Sequence, residues 1–324
     1  MEIVKPKEFE KTKVFEVGNW NIPLYSIIAL FMFLVGNLCQ SFLVLGYGAF
    51  YKLMNGSSVD DVVKLFQDPK AISDYLYSHT DALLIMFFGT IFGILIVLLF
   101  AKFIEKRKMS ELGLKKEKMF KHYGLGILFG FATFSFIILI EVLTGALKIN
   151  GFNALGISAL VLIPFAIGFM IQSFEEELLF RGYLLPSIAA KNCAISSILI
   201  SALAFGIVHS LNTSFSLLAC LNITLVGIVF GLVYVITKNV WVVSGFHFIW
   251  NYVQGCLYGV HVSGINVKES ILNSTVVEGK DILSGGAFGT EGSIITTIVI
   301  FIIIVILLVY MYKNKMLAIC NCKK

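Results

Sequence analysis

Hydrophobic positions in this chain are grouped into long runs that are separated by shorter polar segments. A helix needs about 20 apolar residues to cross the hydrocarbon core of a bilayer, and runs of about that length recur along the chain. They occupy residues 24–47, 82–103, 124–147, 155–190, 194–211, 215–237, 240–258 and 293–312. A membrane span must satisfy its backbone hydrogen bonds internally, so each run is predicted to be helical. The pattern predicts an all-α, polytopic membrane protein with about eight transmembrane helices.

Composition and charge agree with this class. Hydrophobic residues make up 58% of the chain and charged residues 14%, whereas soluble domains have roughly 25% charged residues. With Arg181 set aside, 18 Lys and Arg fall in segments on the side of the two termini and 6 in the opposite loops. Basic residues mark the cytoplasmic side, so both termini are predicted to be cytoplasmic, in the plasma membrane. The basic loop at 102–121 is explained by topology and anionic lipid, and no nucleic-acid partner is predicted.

Ionisable side chains inside the apolar runs are the first candidates for function. Each costs about 2.5–3.5 kcal/mol to place at the centre of a membrane helix, so those present are expected to have a role. Three runs carry them: Glu175, Glu176, Glu177 and Arg181 in the fourth, His209 in the fifth, and His247 with Asn251 in the seventh.

Helical spacing separates the roles of the fourth run's acids. Adjacent helical residues point about 100° apart, so the three glutamates cannot all face one cavity. Glu177 and Arg181 are four apart with the acid first, the favoured order for an ion pair. Glu176 is then the carboxylate left for chemistry, and Glu175 is expected to face the headgroups. By the same spacing, His247 and Asn251 lie on one helix face.

Three short segments carry a family resemblance: Glu176-Glu177-Leu-Leu-Phe-Arg181, Phe205-Gly-Ile-Val-His209 and His247-Phe-Ile-Trp-Asn251. In this order, each in its own apolar run, they resemble the signatures of the CAAX-protease and bacteriocin-processing (CPBP) family, which includes the type II CAAX prenyl endopeptidases. The resemblance covers roughly residues 124–258. It divides the chain into a leader with two helices (1–122), a protease core (123–258), and an external loop with the last helix and tail (259–324).

The resemblance implies hydrolysis of a peptide bond inside the membrane. Glu176, helped by His209, would activate a water, and His247 with Asn251 would stabilise the oxyanion. Glu177, Arg181 and Phe205 would support the site, with Phe205 as a wall one turn before His209. The expected substrate is a membrane-associated or lipid-modified peptide, such as a prenylated tail, a pheromone or a bacteriocin-like peptide.

A zinc site is the alternative for the same residues. Glu176, His209 and His247 with a water would form an acceptable catalytic zinc set. The compact His-Glu-x-x-His helix motif is absent, and the resemblance explains Asn251 without a metal. A metal-independent glutamate mechanism is therefore favoured, with zinc as the possible cofactor.

Two functions from other classes stay open. One is a non-proteolytic membrane protein, either a scaffold or a self-immunity factor against bacteriocins. The other is a transporter with a proton relay through buried Glu and His, which the lack of an internal repeat makes less favourable.

The protease hypothesis also makes a geometric prediction. If the fourth helix ended near Phe174, Glu176 and His209 would lie far apart across the bilayer. A helix that continues to about residue 190, with an irregularity at 181–186 because of Pro186, places Glu176 about 21 Å and His209 about 23 Å from the same membrane face.

Overall fold

The computed structural model describes residues 2–153 and 159–318. The predicted start of the fourth run at residue 155 and the tail after residue 318 lie outside the described residues. The N-terminal part comprises β1 (Glu2–Ile3), α1 (Lys7–Glu10), α2 (Asn21–Met54), α3 (Val59–Gln67), α4 (Pro69–Ser78), α5 (Thr80–Gly89) and α6 (Ile91–Leu99), which continues into a π-helical segment, Phe100–Ile104.

The central part carries the candidate residues. It comprises α7 (Met119–Leu143), β2 (Leu147–Phe152), α8 (Ala159–Glu177), a π-helical segment (Leu178–Leu184), α9 (Leu185–Ala189), α10 (Ala194–Val208), α11 (Leu217–Thr237), α12 (Val240–Tyr252) and a second π-helical segment, Val253–Leu257. The C-terminal part comprises β3 (Leu272–Val276), α13 (Asp281–Ser284), α14 (Ile294–Lys313) and β4 (Leu317–Ala318).

The fold confirms the predicted all-α membrane class. Within the described residues, six helices are long and apolar enough to span a membrane, and they correspond to six of the eight predicted runs. They are Gly18–Met54, Thr80–Ile104, Met119–Leu143, Ala194–Leu211, Leu217–Thr237 and Ile294–Lys313. The fourth and seventh runs are helical as well, but they do not belong to this set; these two carry Glu176 and His247.

The fourth helix continues beyond the glutamates, as the geometric prediction required. α8, the π-helical segment and α9 follow one another without interruption to Ala189. Pro186 has no backbone N–H to donate, so the carbonyl in the preceding turn loses its helical partner. Next to it, the hydroxyl of Ser187 donates to the carbonyl of Tyr183. The predicted irregularity is therefore a local change to π-helical pitch, a feature often found at functional sites.

The end of the third run differs from the prediction. Residues up to 147 were expected to be helical, but α7 ends at Leu143 and β2 begins at Leu147. Gly145 adopts a φ of 66°, and Ala146 N donates to Glu141 O at 2.8 Å, which closes the helix end. The strand β2 then pairs with β3, forming a small antiparallel sheet that the sequence did not predict.

A second short sheet joins the two ends of the described chain. Glu2 and Ile3 of β1 pair with Ala318 and Leu317 of β4. The two terminal segments of the described chain therefore lie next to each other.

The helices that carry the candidate residues meet in the middle of the fold. α12 packs against α7 and α8, while α10 packs against α11, α9 and the π-helical segment after α8. α7 and α12 approach closely at Gly126, where a side-chain carbon would overlap the carbonyl of Val242. α2 packs on α5 and α6, which in turn pack on α8, so the first helices form one wall of the central region.

Candidate active site

Glu176 lies in the last turn of α8, one helical turn after Gln172. Gln172 Nε2 donates to Glu176 Oε1 at 2.6 Å. Glu176 Oε2 is buried and has no hydrogen-bond partner in the described part of the chain. One carboxylate oxygen is thus held in place, while the other remains open as an acceptor.

His209 stands at the end of α10 and points towards this open oxygen. Its Nδ1 lies 2.8 Å from the carbonyl oxygen of Phe205, one turn earlier. A carbonyl only accepts, so Nδ1 carries a proton in this contact, and in the neutral ring Nε2 has the lone pair. Nε2 lies 3.8 Å from Glu176 Oε2, which is too far for a direct hydrogen bond.

His247 approaches the same oxygen from α12. Its Nε2 also lies 3.8 Å from Glu176 Oε2, and its Nδ1 lies 3.0 Å from Glu177 Oε1. Arg181 Nη1 donates to that Glu177 oxygen at 2.9 Å. The predicted Glu177–Arg181 pair is therefore present, and it also orients the His247 ring, which the sequence did not reveal.

Asn251 joins the site through Gln172. Its Nδ2 donates to Gln172 Oε1 at 3.0 Å, so Gln172 links Asn251 to Glu176. Sequence reasoning missed Gln172. It is a polar residue in an apolar run, four positions before Glu176 and so on the same helix face, and that spacing was the available signal.

Phe205 packs against both imidazoles and lines the cavity. The centre of its ring lies 4.7 Å from that of His209 and 5.9 Å from that of His247. The guanidinium of Arg181 covers the ring at 4.2 Å, in cation–π contact. Phe205 thus contacts Arg181 and both histidines of the site.

The expectation that Glu175 faces the headgroups is wrong. Its side chain is buried, with 6% exposure, and it lines the central cavity. The reason is that α6 covers this side of α8, and the carboxylate lies against Gly93 of α6.

The site opens into a cavity of about 460 Å³. α2, α5, α6, α8, α10, α11, α12 and the loop 259–292 form its walls. Three acids line it, Glu175, Glu176 and Glu291, together with His209 and His247. In the described ranges, no Lys or Arg lines the cavity.

The side chains that could hold zinc are Glu176, His209 and His247. Ligand atoms of a tetrahedral zinc lie roughly 3.3 Å apart, whereas both distances from Glu176 Oε2 are 3.8 Å. Across residues 2–153 and 159–318, no group of three His, Cys, Asp or Glu side chains is arranged to hold a metal ion. As arranged, these side chains do not fit a zinc site.

The fold and the site define a helical membrane protein with a cavity lined by glutamate, histidine and asparagine. Residues 157–253 match the family described as type II CAAX prenyl endopeptidase Rce1-like. This match is consistent with the CAAX-protease family and confirms the predicted resemblance over a segment that contains Glu176, His209, His247 and Asn251. It supports an intramembrane endopeptidase of CAAX type in general. No curated protein matches the chain.

Proposed function

We propose that this protein hydrolyses a peptide bond in a membrane-associated or lipid-modified peptide, with Glu176 as the general base. The observation that carries the proposal is the open oxygen of Glu176, 3.8 Å from the Nε2 atoms of both His209 and His247. Neither distance allows a direct hydrogen bond, and a water beside the three atoms can contact all of them.

The residues divide the reaction between them. The lone pair of His209 Nε2 accepts a hydrogen bond from the water, and Glu176 Oε2 takes its other proton as the water oxygen attacks the carbonyl carbon. The same proton passes from Glu176 to the leaving amine when the carbon–nitrogen bond breaks. Such general acid–base catalysis typically contributes about 10²–10⁴-fold.

His247 and Asn251 stabilise the oxyanion. An amide has two N–H groups, and Asn251 uses one for Gln172, which leaves the other for the developing charge. His247 donates from Nε2 when both ring nitrogens carry protons, while Glu177 accepts from Nδ1. Glu177 and Arg181 are positioning residues in this scheme.

The mechanism that we propose needs no metal. Its support is the spacing of Glu176, His209 and His247, and the direct part that it gives to Asn251. The test is cleavage by purified protein before and after chelation, with metal content measured on the same sample. We expect unchanged turnover; loss on chelation with recovery on adding zinc would contradict a metal-independent mechanism.

Comparative peptidomics tests the activity itself. Membranes of cells that produce the wild type, Glu176→Gln or the control Glu278→Gln are compared; Glu278 is exposed and remote in sequence from the site. We expect the cleaved forms of a set of peptides to be absent from the Glu176→Gln cells only, with equal amounts of folded protein in all three. Identical peptide profiles would refute the protease. The alternative of a scaffold or self-immunity factor would be supported if Glu176→Gln cells assembled or protected themselves as the wild type does.

We also propose that both termini are cytoplasmic, on the strength of the charge asymmetry and the pairing of β1 with β4. Cys193 is exposed near Lys191 and belongs to the side of the termini. A variant that retains only Cys193 should resist an impermeant thiol reagent in intact cells, and one with a lone cysteine through Glu278→Cys should react. The reverse labelling pattern would show that the termini lie outside the cell.

A further inference from the structure

A second carboxylate lies in the cavity beside the proposed base and has no part in the mechanism above. Glu175 is 94% buried, lines the cavity and precedes Glu176 in α8. Among the residues that the structure describes, it has neither a hydrogen-bond nor an ion-pair partner. A buried carboxylate without a partner is costly, so its position calls for an explanation.

Two glycines of the first helices make the space that holds this side chain. A methyl group on Gly93 of α6 would overlap the Glu175 carboxylate. A Cβ on Gly36 of α2 would lie 3.0 Å from the Cα of Gly93, so the two backbones nearly touch behind the carboxylate. The pocket around Glu175 is therefore built by helices that lie outside the segment matching the family.

The other acids of the cavity are already engaged. Glu291 Oε2 accepts from the backbone N and the hydroxyl of Ser263, both at 2.7 Å, and its Oε1 accepts from Trp250 Nε1 at 3.2 Å. Glu176 accepts from Gln172 through one oxygen. Of the three cavity acids, Glu175 has no hydrogen bond to the protein within the described residues.

Within the described residues, neither Lys nor Arg is placed against this carboxylate. Arg181 is committed to Glu177, and no Lys or Arg of the described ranges lines the cavity. Asn37, next to Gly36, donates one of its two Nδ2 N–H groups to the carbonyl of Phe33 at 2.9 Å, so its amide keeps one donor and an oxygen that can accept. The Glu175 carboxylate suits a bound donor that carries positive charge, with the Asn37 oxygen as a second acceptor.

We propose that Glu175 forms a subsite for a cationic group of the peptide substrate, a Lys or Arg side chain or a free amino group. The inference rests on the proposed function and adds a substrate class to it. Because Glu175 and Glu176 are adjacent, the cation lies within about three residues of the cleaved bond, at about 3.3–3.6 Å per extended residue. A carboxylate at the same position is repelled.

Synthetic peptides test the subsite on the full chain in liposomes. The probes are quenched-fluorescence peptides with an alkyl anchor, identical except at one position that is Lys, Arg, norleucine or Glu and is moved along the peptide. We expect kcat/KM at one register to be at least about 10-fold higher for Lys or Arg than for norleucine, the usual range for a hydrogen bond to a charged group. The Glu peptide should be the poorest.

Two matched pairs of variants locate the effect. Glu175→Gln should bring the ratio of Lys to norleucine close to one, whereas Glu278→Gln, at an exposed acid, should keep it. Gly93→Ala should lower the ratio by displacing the carboxylate, and Gly124→Ala, where a Cβ meets open space, should not. An active wild type without the preference, or an unchanged ratio in Glu175→Gln, would overturn the subsite.

Binding separates this inference from the protease. Fluorescence anisotropy of the same peptides on Glu176→Gln protein measures selectivity without turnover. If the Lys peptide binds more tightly and the added Glu175→Gln change removes this preference, the subsite is upheld. This holds even if the wild type cleaves nothing, which would refute only the protease. Cleavage by the wild type with equal binding of Lys and norleucine peptides refutes only the subsite.

Discussion

Two buried acidic clusters in this protein are built in opposite ways. After α6, Glu105 is engaged through both oxygens: Tyr25 and Tyr183 donate to Oε1 at 2.9 and 3.1 Å, and Arg107 Nε lies 2.7 Å from Oε2. In the central cavity, Glu175 is buried and makes no hydrogen bond or ion pair with the described residues. Glu176 Oε2 likewise has no hydrogen-bond partner there.

The difference separates structural from chemical use of buried charge. A buried ion pair with hydrogen-bonding neighbours holds the surrounding elements in one arrangement, and removing one partner leaves an uncompensated charge. An acid without such contacts remains free to bind water or substrate. The first cluster should therefore respond to mutation in stability, and the second in turnover.

Removing Arg107 should have the largest effect. Arg107→Met leaves Glu105 buried without its cation, and we expect a loss of about 3–5 kcal/mol in the free energy of unfolding. Denaturant titration in mixed micelles measures it, with Lys108→Met as the control because Lys108 is exposed. A change below about 1 kcal/mol would show that the two clusters do not differ as proposed.

The oxyanion donor comes next. Asn251→Ala should lower kcat about 10²–10³-fold, since one oxyanion donor is lost, and should cost only about 1 kcal/mol of stability for its hydrogen bond to Gln172. Asn55→Ala is the control, because Asn55 also donates one hydrogen bond but is exposed. Normal kcat in Asn251→Ala would remove Asn251 from the mechanism.

Gln172 should give a smaller effect, expressed through the orientation of its neighbours. Gln172→Met loses the contacts to both Glu176 and Asn251 while it keeps the side-chain length. Two hydrogen bonds of about 1 kcal/mol each predict a fall of about 10–30-fold in kcat. Single-turnover cleavage is the measurement, and Gln67→Met, at an exposed position, is the control. Effects on KM alone would contradict a positioning role.

An exposed pair provides the lower end of the scale. Partial burial raises the pKa of Glu8. Its own backbone N–H and Lys238 together lower the pKa by more than burial raises it, so the pKa lies below its ordinary value of 4.5. The pair then stabilises the fold above the ordinary pKa, and this contribution disappears as the pH falls through the lowered value. Glu8→Gln should cost less than about 1 kcal/mol at pH 7 and nothing in strong acid. If the difference in unfolding free energy between the wild type and Glu8→Gln grew as the pH fell, the prediction would be contradicted.

The arrangement of the central side chains could be predicted because local spacing and membrane depth determine it. His247 and Asn251 share a helix face through their four-residue separation, and Glu177 and Arg181 pair for the same reason. The requirement that Glu176 and His209 lie at one depth predicted the long fourth helix. These relations need only helix geometry.

Glu175 and the small sheets could not be predicted in this way because their surroundings come from distant segments. Whether a side of α8 faces lipid depends on α2 and α6, and no local pattern on α8 reports their packing. The pairing of β2 with β3 likewise joins residues that are far apart in sequence. Gly36 and Gly93 were visible as glycines in apolar runs, but their mutual contact was not.

The close approach of Gly36 and Gly93 has an evolutionary consequence. The segment that matches the family contains every residue assigned to bond cleavage, whereas the first two helices lie outside it and form the opposite wall of the cavity. Substitutions in those helices can alter which peptides are accepted while the hydrolytic groups stay intact. Under the proposed mechanism, peptide selectivity can therefore change independently of the groups that cleave the bond.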